Sequence, residues 1–254
     1  MASQGTGYDL SASTYSPDGR IFQIEYAAKA VDGAGTALGM RCTDGILLAV
    51  EKLVPTKLLV PSAKGASLNR RIAAVDRHVG LTTAGLTADG KHLANRARDE
   101  ALNFRDTFRM PTPVPALAER LSLYIQAYTL YSSVRPFGIS TILGGVDADG
   151  PQLFLIEPSG AHFGYRACAV GKGRALAKTE LEKLDYAALT TSEAVQKAAD
   201  IIYKVHAENK DKDFELELSW LCPQSKMLFA PVPPALVAEA AQKAKDALDE
   251  EMED

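Results

Sequence analysis

The chain has 254 residues, 46% hydrophobic and 24% charged, with a formal net charge of −4. A chain of this length can bury roughly 70–75% of the surface its unfolded form exposes, so one large domain needs no disulfide or metal staple. The mild acidity offers no bulk attraction to nucleic acid or to an anionic membrane. No apolar run approaches the roughly 20 residues needed to cross a bilayer. Three separated cysteines, Cys42, Cys168 and Cys222, argue against a disulfide framework and for a reducing compartment.

Residues 1–15 are small and polar and read as a flexible segment without a core of its own; their start lacks the basic end and apolar run of a signal peptide. Ser16-Pro17-Asp18-Gly19 is a turn. Ile21, Ile24, Ala28 and Val31 then recur on one helix face, Phe22 and Tyr26 form a second i,i+4 pair, and Gly33 is the expected stop. From Thr36 the period falls to that of strands: Ala37 to Cys42, Ile46 to Val50, Ile72 to Val75 and Val79 to Ala84. Asp44-Gly45 is the dipeptide of a type I′ hairpin turn. Two long helices follow, one carrying Ala94, Ala97, Ala101, Phe104 and Phe108, the other Val114, Leu117, Leu121, Tyr124, Tyr128 and Tyr131, joined by Pro111-Thr112-Pro113. Ser140–Val146, Gln152–Ile156 and Ala161–Tyr165 predict three more strands, with Asp149-Gly150 turning between the first two.

Ala177, Leu181 and Leu184 mark another helix. Thr190-Thr191-Ser192-Glu193 has the capping-box pattern that opens the next, which buries Val195, Ala199, Ile202 and Val205. Glu215–Leu221 alternates as a strand, and Pro233-Pro234 opens a last amphipathic helix. It runs into an acidic tail over 246–254, where carboxylates oppose the helix dipole and predict fraying. Hairpins mean antiparallel sheets, and helices come in groups, so the order predicts α+β layers: two sheets face to face with helices outside, in one domain over 16–245.

Motifs for small-molecule chemistry fail on spacing or context. Gly33-Ala34-Gly35-Thr36-Ala37-Leu38-Gly39 lacks the last glycine of a dinucleotide loop and runs from helix to strand, the reverse of what such a loop requires. Gly171-Lys172-Gly173 lacks the frame of a phosphate loop. There is no Cys-x-x-Cys, and His78, His92, His162 and His206 are scattered, with no zinc spacing. His206-Ala207-Glu208 is half a deaminase signature without the other half. No metal or cofactor is expected, and the histidines read as ordinary surface or hydrogen-bonded residues.

The segment Ser16-Pro17-Asp18-Gly19-Arg20-Ile21-Phe22-Gln23-Ile24-Glu25-Tyr26-Ala27 resembles the signature of proteasome α subunits. Thr36–Gly39, Asp44–Ala49 and Val134-Arg135-Pro136-Phe137-Gly138 are similar to further segments of that family, and the resemblance runs over nearly the whole chain. Tyr8–Ser13, His78-Val79-Gly80 and Phe214–Trp220 narrow it to one subfamily. It implies a four-layer αββα sandwich of the N-terminal-nucleophile (Ntn) hydrolase type. It also implies a place in a seven-membered ring of α subunits stacked on a β ring, in cytoplasm and nucleus, with regulatory particle ATPases and other activators as partners. No catalytic residue is expected. The family's nucleophile, a threonine at the chain's own N-terminus with its free amine as base, falls on Gly35, and its acidic and basic partner positions on Glu51 and Arg71.

By the same resemblance Tyr8, Asp9, Pro17 and Tyr26 are the gate-stabilising cluster, with Leu10 standing where most α types have arginine. Arg71 takes the place of the lysine that caps activator-tail carboxylates in a pocket between subunits, with Glu25 and Ile21 at its rim. Two other readings compete: an active threonine hydrolase formed by self-cleavage at Gly35-Thr36, and a monomeric binding module using the acidic tail.

Overall fold

The computed structural model describes residues 7–56, 58–59, 70–209 and 213–253; residues 1–6 of the N-terminal segment and Asp254 of the tail lie outside them. Helix α1 (Phe22–Asp32) precedes the hairpin β1 (Ala37–Arg41) and β2 (Ile46–Leu53), then β3 (Ile72–Asp76) and β4 (Val79–Gly85). Helices α2 (Thr87–Phe108) and α3 (Val114–Ala127) follow, then β5 (Ile139–Asp147), β6 (Gly150–Ile156), β7 (His162–Gly164) and β8 (Ala167–Val170). Helices α4 (Arg174–Glu182) and α5 (Thr191–Asn209), strands β9 (Phe214–Leu221) and β10 (Ala230–Pro231), and helix α6 (Pro234–Glu253) complete the chain.

The strands form two antiparallel five-stranded sheets, ordered β10-β9-β2-β1-β8 and β3-β4-β5-β6-β7. Period-2 alternation sorts their side chains into separate cores. In β2, Ile46, Leu48 and Val50 face the second sheet, where they meet Ile142 and Leu153. Leu47 and Ala49 face the other way, into a core built with Leu181, Ala198 and Ile202 of α4 and α5. The second sheet packs Leu81, Ile139 and Leu143 against Leu93, Leu117 and Leu121 of α2 and α3. Each fully buried Leu or Ile stabilises by roughly 1.5–3 kcal/mol relative to exposure, and one-residue slips of register would turn these faces over. The result is helices, sheet, sheet, helices: the expected four-layer sandwich.

Several local expectations hold. The capping box forms: Thr190 N–H donates to Glu193 Oε2 at 3.0 Å, and Glu193 N–H to Thr190 Oγ1 at 3.4 Å. Others are corrected. The turn at Asp44-Gly45 is not type I′, because neither residue has positive φ. The loop has four residues, closed by Cys42 N–H donating to Gly45 O at 2.8 Å. Asp44 instead accepts Thr191 N–H at 2.8 Å, at the start of α5. Gly45 is required for closeness: a Cβ there would sit 1.9 Å from the Leu221 carbonyl oxygen.

Helix α3 stops at Ala127, short of Tyr131. Thr129 takes the Gln126 carbonyl with both its N–H (2.9 Å) and its hydroxyl (2.7 Å), which ends the helical ladder. Tyr131 is left exposed, and Phe108, also exposed, packs on Phe104 with ring centroids 4.5 Å apart rather than entering the core. Strands β8 and β10 had no periodic signal to reveal them. Residues 246–253 are the last turns of α6.

Candidate functional site

Two places bear on function. The first is the N-terminal segment where it crosses α1. The turn at 16–20 is closed by Ser16: its N–H donates to Arg20 O at 2.9 Å, its carbonyl accepts Gly19 N–H at 2.9 Å, and its hydroxyl accepts Arg20 N–H at 3.0 Å. Gly19 takes φ +79°, a conformation that disfavours other residues. Pro17 sits exposed in this turn, and Asp18 is held below the usual carboxylate range by the Ser16 hydroxyl. The turn delivers the chain to α1, which buries Phe22, Ala27 and Val31.

The outer face of α1 holds Asp9. Tyr26 Oη donates to Asp9 Oδ2 at 3.0 Å, and Gln23 Nε2 donates to the Asp9 carbonyl. Residues 23 and 26 lie one turn apart, so a single helix face grips both the backbone and the carboxylate of Asp9. Partial burial, and then the Asp9 carboxylate, raise the Tyr26 phenol's pKa and keep it a donor. Tyr8 stands exposed beside them, and Leu10 is 88% exposed. Thus Tyr26 and Asp9 of the expected cluster are in contact, with Tyr8 and Pro17 flanking. Gln23 was missed: a polar residue within an amphipathic helix carries no signal of its own.

Glu25, in the first turn of α1, pairs with Arg20, whose Nε lies 2.6 Å from Glu25 Oε1. The Arg20 hydrogen bond lowers the Glu25 pKa, but both side chains are more than a third exposed, so the pair adds little stability. Ile21 is half-buried at the helix N-cap. Arg71 lies elsewhere, at the start of β3, on a groove against α2 whose walls include neither Ile21 nor Glu25. Within one chain the structure does not bring these three together.

The second place is the start of β1. Thr36 is fully buried and lies within the chain, its N–H donating to Glu51 Oε2 at 2.9 Å and its Oγ1 accepting Gly173 N–H at 3.1 Å. A Cβ on Gly35 would fall 2.3 Å from the Glu51 carbonyl oxygen, so no side chain fits at that position. Glu51 is 2% exposed. Its second oxygen meets His206 Nδ1 at 2.7 Å, and the His206 ring packs on Phe214 with centroids 4.2 Å apart. The basic group in contact with Glu51 is thus His206, not Arg71. The Arg71 guanidinium instead donates to the Thr83 carbonyl at 3.2 Å, while His206, from 155 residues further along, faces Glu51. The groups of a nucleophile site are all engaged in structural hydrogen bonds, and the amine that would serve as base is a peptide nitrogen.

A third anchor explains the segment at 134–138. Arg135 grips Asp89 with both Nη atoms, at 2.7 and 2.9 Å, and Gly138 N–H donates to Asp89 at 3.0 Å. The Arg135 hydrogen bond holds Asp89 below the usual carboxylate range despite burial. Among the described residues, no group of three His, Cys, Asp or Glu side chains could hold a metal, and no helix is long and apolar enough to cross a membrane.

Two antiparallel sheets between helix layers, with a glycine-threonine and a buried carboxylate where the first inner strand begins, define the Ntn hydrolase class. Comparison with known families narrows this: the proteasome subunit family matches residues 31–221, and the N-terminal signature of its A-type subunits matches residues 8–30. The chain belongs to the proteasome subunit family, on its α-type branch. It is 56% identical over 247 residues to the alpha type-3 proteasome subunit of Acanthamoeba castellanii, covering 97% of this chain and 96% of that one. The protein of the same name from Spinacia oleracea is 52% identical over 250 residues, covering 98% of each. The probable alpha type-7 proteasome subunit of Saccharomyces cerevisiae is 56% identical over 223 residues, covering 87% of this chain and 76% of that one.

Proposed function

We propose that this chain is a non-catalytic structural subunit of the α ring of the 20S proteasome core, working in the cytoplasm and nucleus in ubiquitin-dependent protein degradation. The observation that carries the non-catalytic reading is Thr36: an in-chain residue, buried, with its N–H on Glu51 and its hydroxyl on Gly173. A threonine nucleophile needs a free amine and an open hydroxyl, and this one has neither.

In the ring, the N-terminal segment contributes to the substrate-entry gate. Tyr26 and Gln23 hold Asp9 at the surface by hydrogen bonds that are individually weak, which suits a segment with two arrangements. Tyr8 and Leu10 are free to meet neighbouring subunits. Arg71 caps the carboxylate of an activator tail, with Ile21 and Glu25 of an adjoining subunit completing the rim; a guanidinium can grip a carboxylate with two parallel hydrogen bonds.

The test is native mass spectrometry of the chain from its own cells, followed by peptide hydrolysis by the particle. A particle of many related subunits, whose activator-free hydrolysis rises when residues 1–15 of this chain are deleted, is expected. A monomer would overturn the ring assignment. An assembled particle indifferent to the deletion would overturn the gate role.

A further inference from the structure

Strand β8 is an edge of the first sheet: it pairs with β1 on one side and, among the described residues, with no strand on the other. Arg41 N–H donates to the Arg166 carbonyl at 2.8 Å, and an antiparallel ladder bonds through every second residue. Residues 166, 168 and 170 therefore turn their backbone to β1, and Ala169 turns its N–H and C=O outward. Neither group has a hydrogen-bond partner among the described residues. A cleft of about 510 Å³ lies against this edge, between α1 and α4. Val31 of α1, Leu155 of β6 and Val170 of β8 give it an apolar wall. Ser140, only 7% exposed, lines the same cleft, and its hydroxyl has no hydrogen-bond partner among the described residues.

The mouth carries unlike charges. Lys178 of α4 and Glu157, just after β6, are exposed, line the cleft and have no ion-pair partner among the described residues. Arg174, also at the mouth, is already engaged by Asp32 at 3.0 Å. The Cys168 thiol in the wall stays neutral, because burial pushes its pKa up to about 12. An outward N–H and C=O on one strand residue match a peptide backbone, which an acyl chain lacks. A buried hydroxyl is normally paired, and a peptide group would pair this one. An aliphatic acid would satisfy Lys178 and leave Glu157 unmatched. A molecule with one positive and one negative end satisfies both.

We propose that this cleft binds a short, extended, apolar peptide with free ends, laid alongside β8. Its backbone bonds to the N–H and C=O of Ala169, and an aliphatic side chain packs on Val31, Leu155 and Val170. Its carboxylate turns to Lys178, its ammonium to Glu157, and a peptide group meets the Ser140 hydroxyl. Addition of a strand to an open sheet edge is a recurring mode of peptide recognition, with backbone bonds giving affinity and side-chain pockets giving specificity. The cleft falls within the roughly 300–1,000 Å³ typical of small-ligand sites. The site is built within one chain, so its failure would leave the ring assignment standing.

The test is calorimetric titration of the full-length chain with leucyl-leucine, alongside its C-terminal amide, its N-acetyl form and hexanoate. Saturable one-to-one binding of leucyl-leucine is expected. Lys178→Gln should weaken it severalfold, as suits an exposed ion pair, and leave binding of the amide unchanged. Glu157→Gln should weaken it to a similar degree and leave binding of the N-acetyl form unchanged. Both positions are exposed, so both variants should melt as the parent does. Absence of leucyl-leucine binding, or binding that neither variant weakens, overturns the site. Variants that weaken the blocked forms as much as the free dipeptide overturn the assignment of the two charges. Hexanoate binding as tightly as leucyl-leucine overturns the peptide class.

Discussion

The start of β1 and the rim of α1 differ in every physical respect. Around Thr36 the polar groups of Thr36 and Glu51 are buried, hydrogen-bonded and crowded by backbone; around Asp9 they are half-buried or exposed and held by two bonds from one helix face. The first region is rigid because each group lost there leaves another stranded without water. The second can change because water replaces each bond it loses. In the proposed reading, the start of β1 serves as a structural joint and the adjustable contacts lie on the outer face of α1.

The largest effect should come from Glu51→Ala. It strands the Thr36 N–H and the His206 ring inside the sandwich, at a cost of about 3 kcal/mol; denaturant unfolding reads this directly. Near-parent stability would show that the hydrogen bonds around Glu51 do not hold the interior together. Gly35→Ala should cost roughly 1–3 kcal/mol by overpacking against the Glu51 carbonyl, read as a lower melting temperature.

Asp89 is an intermediate case, a buried carboxylate whose partner Arg135 is 60% exposed, so screening reduces its worth to about 1 kcal/mol. Its folded pKa is depressed, so the contribution is fully present above the unfolded value near 4 and is lost as pH falls through the lower folded value. Asp89→Asn should therefore lower stability at pH 7 and flatten the acid limb below about pH 4 in a pH series of melting curves.

Burial pushes the thiols of Cys42 and Cys168 up to about 12. Neither should react with an alkylating reagent at about pH 8, below the ordinary thiol value, until the chain unfolds, whereas labelling of the folded chain would show that the interior opens. The smallest effect on stability belongs to Tyr26→Phe, which should leave the melting temperature unchanged. It should instead speed hydrogen exchange in residues 8–12, and unchanged exchange would show that the Asp9 contact does not hold the segment.

The sandwich was legible because its signals are local or periodic: alternation in Ile46–Val50, the capping box at Thr190, the prolines before α6. The misses arise where tertiary contacts outrank local preference. Asp44-Gly45 reads as a I′ turn, yet Asp44 is drawn to Thr191 and Gly45 is needed beneath Leu221. Strand β8, only Ala167–Val170, exists because β1 offers it an edge. Within the site, Asp9 and Tyr26 were readable from the signature. His206 was not, because its partner Glu51 is remote in sequence and no spacing rule links them.

If Thr36 is a structural residue, it stays inside the chain. The denaturing mass of this chain, taken from its assembled particle, tests it most directly. The expected mass retains the residues preceding Thr36. A chain beginning at Thr36 would contradict it and restore the hydrolase reading.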